Sequence, residues 1–138
     1  APADAEASAP QVPPVTTMMV RNIPYGFTQE TLLLDVWPID GSFDFFYMPR
    51  MLPGPSHLGY AFINFVTEEV ACEFRSKWHN RRISRGGTSK RLNIIPADVQ
   101  GFSANVTQLK KKRVDRITQP EWAPVVLRDG HRLDLRAE

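Results

Sequence analysis

The chain has 138 residues, a length that suits one domain with an extension rather than two domains. Its composition, 42% hydrophobic and 23% charged, excludes a collagen-like or wholly disordered chain, and no run of about 18 apolar residues is present to span a membrane. The net charge of +2 conceals an asymmetry, because residues 75–116 hold twelve Lys and Arg against two acids. Residues 1–74 hold two basic residues against nine acidic ones. This uneven distribution of charge indicates a segregated basic surface.

The first half of the chain predicts a disordered segment, a strand and a helix. Residues 1–15 are rich in Ala and Pro and lack the apolar surface needed to offset chain entropy, so we expect a disordered lead-in. The apolar run Met18–Ile23 predicts a strand that ends at Pro24. Thr28 is a helix cap, and the helix it begins has an apolar face that runs to Trp37.

The middle of the chain repeats this alternation. The aromatic segment Phe43–Met48 predicts a second strand, residues 49–58 an exposed loop, and Gly59–Phe65 a third strand. Thr67 is expected to cap a second helix, with Cys72 buried beside its core face. A fourth strand is predicted at Arg91–Ile95.

The resulting order, β-α-β-β-α-β, predicts an α+β ferredoxin-like sandwich. In this fold a four-stranded antiparallel sheet has both helices on one face. A C-terminal helical extension follows at residues 99–116, with a basic end. Residues 117–138 form a tail in which Asp129-Gly130 between apolar residues signals a hairpin, which we expect to be a packed appendage anchored by Trp122.

The face of the sheet away from the helices is expected to be rich in aromatic side chains. If Ala61, Ile63 and Phe65 point toward the helices, strand alternation directs Tyr60 and Phe62 outward. The same reasoning places Phe45 and Tyr47 outward and exposed in the second strand. Met19 and Arg21 point outward in the first strand.

The third strand resembles the octameric signature of the RNA recognition motif, Lys/Arg-Gly-Phe/Tyr-Gly/Ala-Phe-Val-x-Phe/Tyr. Leu58–Phe65, LGYAFINF, fits each defined position except the first, allowing Ile for Val. The strings RNIP at Arg21–Pro24, DFFY at Asp44–Tyr47 and VQG at Val99–Gly101 resemble the Mei-two-like subfamily. The resemblance identifies residues 16–98 as an RNA recognition motif and implies a regulator that binds RNA.

The resemblance implies that single-stranded RNA stacks on Tyr60 and Phe62, while basic side chains hold its phosphates. The residues we expect to contact RNA are outward-facing or basic: Met19, Arg21, Tyr47, Arg50, Tyr60, Phe62, Lys90, Arg91, Lys110, Lys111, Lys112 and Arg113. Met19 stands where the motif usually has an aromatic ring. Leu58 stands where it usually has a basic residue, so a phosphate contact is missing unless His57 or Arg50 compensates. We therefore expect modest affinity.

The basic run Lys110–Arg113 has three interpretations: a solvated helix end, an RNA clamp and a nuclear import signal. The helix before it either extends the RNA surface or masks it until RNA binds. We expect a nuclear or shuttling monomer whose partner is single-stranded RNA. The alternative is a protein-interaction module on the same fold with little RNA binding, whose protein partners bind through the sheet or the C-terminal helix.

Other functional classes find little support. One cysteine excludes a disulfide scaffold or a thiolate zinc cluster, and the three histidines, expected at the surface, lack zinc-site spacing. No catalytic nucleophile, base and orienting group can be assembled, so we expect no enzyme, cofactor or metal. The start at Ala1 without a basic and apolar leader suggests a piece of a longer protein with no secretory signal.

Overall fold

The computed structural model describes residues 14–50, 57–83, 90–113 and 122–133. Nearly all of the predicted lead-in and residues 114–116 of the predicted basic helix lie outside these ranges. The boundaries assigned to the lead-in, domain, helix and tail therefore stay predictions.

The strands of the described residues form one antiparallel sheet. They are β1 (Thr17–Arg21), β2 (Phe43–Tyr47), β3 (Tyr60–Phe65), β4 (Asn93–Pro96), β5 (Val125–Arg128) and β6 (His131–Arg132). Their spatial order is β4-β1-β3-β2-β5-β6. The first four strands give the ferredoxin-like order, which confirms the predicted α+β class.

Within the described ranges, three helices accompany the sheet. The first, α1, begins as the α-helical turn Gln29–Thr31 and continues as the π-helix Leu32–Val36; α2 is Glu68–Trp78 and α3 is Phe102–Lys111. The predicted caps are present, since Thr28 Oγ1 accepts from the Thr31 amide and Thr67 Oγ1 accepts from the Val70 amide, both at 3.1 Å. The π-helix ends where the Trp37 amide donates to the Leu32 carbonyl at 2.7 Å.

The main core lies between the sheet and helices α1 and α2. Val20, Ala61 and Ile63 are fully buried there, which each strand achieves by directing alternate residues to this face. The Trp37 ring closes the space between the helices, with Phe74 at 5.4 Å and Trp78 at 5.9 Å between ring centroids. Cys72 is exposed, so the expectation of a buried thiol is wrong; the side chain lies beside the core face of α2, not on it.

A β-bulge in β2 decides which aromatic residues face the core. Strict alternation would place Phe43 and Phe45 on the same face, but Asp44 is an extra residue relative to β3. As a result Phe43 lies in the main core and Phe45 on the opposite face. The Asn64 side chain holds the bulge by donating to Asp44 Oδ1 at 2.8 Å, and burial raises the pKa of the Asp44 carboxyl against this hydrogen bond.

The hairpin of β5 and β6 extends the sheet at the β2 edge. Val126 pairs with Phe45, and the two-residue turn places Asp129 and Gly130 at φ values of +52° and +80°, as a type I′ turn requires. Trp122 precedes the hairpin and lies beneath the guanidinium of Arg50, 4.2 Å from the ring centroid to Cζ. The hairpin, residues 125–132, is thus part of the sheet.

Helix α3 lies on the face of the sheet opposite α1 and α2, which we call the outer face. Phe102, Val106 and Leu109 share one side of α3 and form a second, smaller core with Phe45 and Val126. Leu109, Phe45 and Val126 are the buried members of this cluster.

Buried polar groups fix the start of α3 to β1 and β3. Thr17 Oγ1 donates to Asn64 Oδ1 at 2.7 Å and accepts from the Gly101 amide at 2.9 Å and from Asn105 Nδ2 at 3.1 Å. Gln100 Oε1 accepts from the Thr17 amide at 2.9 Å, and its Nε2 donates back to the Thr17 carbonyl at 2.8 Å. The two bonds that Thr17 Oγ1 makes with Asn64 and Asn105 are buried and the others are partly buried, so the whole set resists separation of α3 from the sheet.

The turn that leads into β3 depends on Gly59 and His57. Gly59 has a φ of +90°, and a Cβ there would lie 3.5 Å from the Tyr25 hydroxyl, so the turn favours glycine. The Gly59 amide donates to His57 Nδ1 at 2.9 Å, which leaves Nε2 as the protonated nitrogen, 3.2 Å from the Pro24 carbonyl. The expectation of a surface His57 is wrong, because the ring is 6% exposed and its two nitrogens bond to backbone groups of Pro24 and Gly59.

We predict that Asn105→Ala lowers the free energy of unfolding by about 1–3 kcal/mol, because it removes the hydrogen bonds that Nδ2 donates to the buried Thr17 hydroxyl and to the carbonyls of Val99 and Gly101. Urea unfolding followed by circular dichroism measures the change. Asn93→Ala is the control. The side-chain amide of Asn93 makes no hydrogen bond among the described residues, so its removal should lower the free energy of unfolding by less than about 0.5 kcal/mol. Equal losses in the two variants would contradict the anchoring role of Asn105.

The stability of the fold should also depend on the protonation of His57. Burial lowers the pKa of its imidazole below the ordinary value of 6.5, and the carbonyl of Pro24 opposes this only in part. The unfolded chain therefore binds the proton more readily, and the contribution of His57 is full above pH 6.5 and lost as the pH falls below it. Unfolding free energies measured from pH 7.5 to 5 should fall less steeply in His57→Gln than in wild type, and equal slopes in the two proteins would contradict this role of His57.

Candidate nucleic-acid interface

The strand register arranges the outer face in three rows. The first row joins Thr17, Asn64 and Phe45, the second joins Met19, Phe62 and Tyr47, and the third joins Arg21 and Tyr60. In each row the β3 residue is the direct cross-strand neighbour of the other members. The predicted outward residues Met19, Arg21, Tyr47, Tyr60 and Phe62 therefore lie together.

The first row is covered by α3. Phe45 points outward but is only 1% exposed, because Leu109 of α3 and Val126 of β5 pack on it. The expectation that Phe45 is exposed is wrong for this reason. Strand alternation tells which face a residue occupies, and the helix covering that face comes from a later part of the chain.

The second and third rows hold three neighbouring aromatic rings. The rings of Tyr60 and Phe62 meet edge to face, with centroids 5.6 Å apart and an interplanar angle of 83°. Tyr47 and Phe62 lie 6.5 Å apart at 18°. All three are partly exposed, so the row offers accessible ring surface next to the partly buried side chain of Met19.

The Tyr47 hydroxyl is held in its neutral form. Burial raises the pKa of this phenol above its ordinary value of 10, and nearby Tyr60 adds to the rise, against a smaller opposing effect of Arg50. At neutral pH Tyr47 is therefore both a hydrogen-bond donor and an acceptor at the margin of the aromatic row.

Basic residues lie at the end of the sheet where β1 finishes. Arg21 is exposed at the last position of β1, and Asn22 Nδ2 donates to the Arg91 carbonyl at 3.0 Å, which brings Arg91 beside it. Arg91 and Lys90 are exposed, and Arg91 Nη1 donates to the Asn80 carbonyl at 2.9 Å. Arg50 lies at the other margin, near Tyr47, with its guanidinium stacked on Trp122.

The basic run ends α3. Lys110 is half-buried, while Lys111, Lys112 and Arg113 are exposed. Lys112 also lines a cavity of about 400 Å³ between α3 and the second row. Asp98 and Gln108 line the same cavity and were not among the predicted RNA contacts. The only available signal was that Gln108 precedes Lys112 by four residues, one helical turn.

The described ranges contain no cluster of His, Cys, Asp and Glu that would bind a metal ion. Within the same ranges, no helix has the length and apolar character needed to cross a membrane.

Comparison with known proteins identifies the family. The family model RNA recognition motif 2 matches residues 15–110. Protein MEI2-like 3 of Arabidopsis thaliana is 28% identical over 111 residues, which are 78% of this chain and 15% of that protein. Protein MEI2-like 5 of Oryza sativa subsp. japonica is 30% identical over 96 residues, 69% of this chain and 12% of that protein. The chain thus corresponds to a small part of these relatives.

Two solved structures share the fold. The SXL-lethal protein/RNA complex superposes with a TM-score of 0.51 at 25% identity, covering 65% of this chain and 53% of that one. The Rna15 RRM with bound RNA (GU) gives a TM-score of 0.51 at 21% identity, covering 70% of this chain and 96% of that one. The family match over residues 15–110 and the MEI2-like relatives show that the chain belongs to the RNA recognition motif 2 family and is an RNA recognition motif of the MEI2-like type.

Proposed function

We propose that this domain binds single-stranded RNA by stacking bases on Tyr60 and Phe62. The observation that supports the proposal best is the row of partly exposed rings on the outer face, two of them edge to face at 5.6 Å. Bases stack on such rings with about 1–3 kcal/mol per base. One structural neighbour, the SXL-lethal protein, is a complex with RNA, which agrees with this use of the fold.

Neighbouring side chains define the extent of the stacking surface. Tyr47 offers a third ring and a neutral hydroxyl beside Phe62, so it can stack or donate to a base. Met19 faces Phe62 across the strands and supplies a polarizable apolar surface without a ring. The missing ring supports the expectation of modest affinity.

Positive charge lies on two sides of the rings. Arg21, Lys90 and Arg91 are exposed at one end of the sheet, and the run Lys110–Arg113 lies at the end of α3. A strand that stacks on Tyr60 and Phe62 would place phosphates within reach of both groups, and such contacts position RNA without reading its sequence. His57 does not replace the charge absent at Leu58, because its ring is buried and its pKa is lowered.

Helix α3 both covers and borders the proposed RNA surface. It buries Phe45 but leaves Tyr60 and Phe62 partly exposed, and its last turn reaches the second row at Lys112. Lifting it away would break the buried hydrogen bonds of Thr17 and Asn105. This favours a helix that stays in place and contributes one wall of the RNA site.

A protein-interaction module is the second candidate. Leu34 is 68% exposed and Ile39 is 44% exposed, and both line a cavity of about 550 Å³ beside α1, on the side of the domain away from the outer face. In this alternative the helix side would bind a partner and the rings would have little affinity for RNA.

The proposal places the domain in a longer RNA-binding regulator of the MEI2-like kind. The names of the relatives support this wider role, and the exposed basic residues at the end of α3 support import into the nucleus. Localisation of a fluorescent fusion with and without those charges tests the second part.

We predict that Tyr60→Leu and Phe62→Leu each weaken binding to a short single-stranded RNA by about fivefold or more, since each removes a stacking ring but keeps apolar volume. Fluorescence anisotropy measures the affinity. Leu34→Ala on the exposed side of α1 is the control and should bind as wild type does. If wild type binds no better than a folded double variant, the stacking proposal fails and the protein-interaction candidate gains.

We predict that replacing Lys110, Lys111, Lys112 and Arg113 together by Gln makes the salt dependence of RNA binding shallower. Each lost phosphate contact should reduce the slope of log K against log salt by about 0.7. Lys77→Gln, on α2 across the sheet, should leave the slope unchanged. A wild-type slope in the fourfold variant would assign the run to helix capping or nuclear import.

A further inference from the structure

The cavity between α3 and the outer face is built from both apolar and polar groups. Its volume of about 400 Å³ lies within the range of about 300–1,000 Å³ typical of small-ligand sites. Phe62, Tyr47 and Met19 of the second row form its apolar side, and Leu109 of α3 faces them. The partly exposed rings of Phe62 and Tyr47 suit one face of a flat heterocycle.

Polar side chains line the same cavity. Asp98, Gln108 and Lys112 all reach it, and in the described part of the chain none of their side chains makes a hydrogen bond or an ion pair. Asn105 also lines the cavity, and its three side-chain hydrogen bonds all use Nδ2. The cavity therefore presents a carboxylate and amide oxygens as acceptors, with an ammonium and an amide N–H as donors.

We propose that this cavity takes one base of the bound strand and selects guanine. The inference rests on the RNA binding proposed above and assigns Asp98 as the residue that determines specificity. Guanine is the base whose pairing edge has two adjacent N–H donors next to one carbonyl. A carboxylate accepts from both donors at once, while Lys112 or Gln108 donates to the carbonyl.

The other bases leave part of this set unsatisfied. Adenine and cytosine each offer one amino group as donor on that edge, and uracil offers one N–H between two carbonyls, which would face the Asp98 carboxylate unfavourably. Asp98 and Lys112 are exposed in the free domain and would lose water when a base occupies the cavity, so a base that leaves the carboxylate without donors should bind more weakly. A bidentate contact of this kind discriminates between bases by about 5- to 100-fold.

The test compares short oligouridylates that carry one central guanosine, adenosine or inosine. Wild type should bind the guanosine strand at least about fivefold more tightly than the adenosine strand, and inosine, which lacks the 2-amino donor, should lose most of the advantage. Asp98→Asn keeps the size of the side chain but replaces the two-acceptor carboxylate, so the ratio of guanosine to adenosine affinity should fall toward one.

Controls separate this inference from the proposed function. Glu69→Gln removes an exposed negative charge on α2 and should leave the ratio of guanosine to adenosine affinity unchanged. Phe62→Leu should lower the affinity for all three RNA strands together. If wild type binds none of the strands, RNA binding itself fails. If wild type binds all three equally, or if Asp98→Asn keeps the guanosine preference, the base assignment is overturned while RNA binding stands.

Discussion

The hydroxyl of Thr17 is the point on which the outer face depends. It donates one hydrogen bond and accepts two, which uses its full capacity, and its three partners belong to β3, to the backbone at Gly101 and to α3. Gly101 is able to present its amide because its φ of +94° suits glycine. One small polar side chain at the start of the sheet thereby fixes where a helix from the far end of the domain lies.

The position of α3 then divides the outer face by chemistry. Near Thr17 the surface is dry and tightly packed around Phe45; at Tyr60 and Arg21 it is open and bordered by positive charge. Between these ends lies a cavity with one wall from the sheet and one from the helix. A polymer with flat bases and charged phosphates fits this sequence of environments better than a compact ligand would.

Much of the fold was predictable from local pattern, because caps, prolines and alternation act over a few residues. Strand alternation placed Tyr60 and Phe62 correctly on the outer face, and the Asp129-Gly130 turn indicated the hairpin. The burial of Phe45 and His57 was not predictable in the same way. Each is buried by groups distant in sequence or by backbone atoms of a neighbouring turn, and periodicity describes the direction of a side chain but not what later packs over it.

The pairing of Val126 with Phe45 also has a consequence for how the domain folds. β5 pairs with β2, from which it is separated by most of the chain. Its docking therefore closes a large loop, and β5 makes its contacts only after the central strands have formed. Until then the β2 backbone is an open edge with a large aromatic side chain beside it. During synthesis, the domain would therefore expose an unpaired edge strand prone to aggregation until the chain beyond Arg128 leaves the ribosome. Docking of the hairpin of β5 and β6 is the step that protects this edge from misassembly.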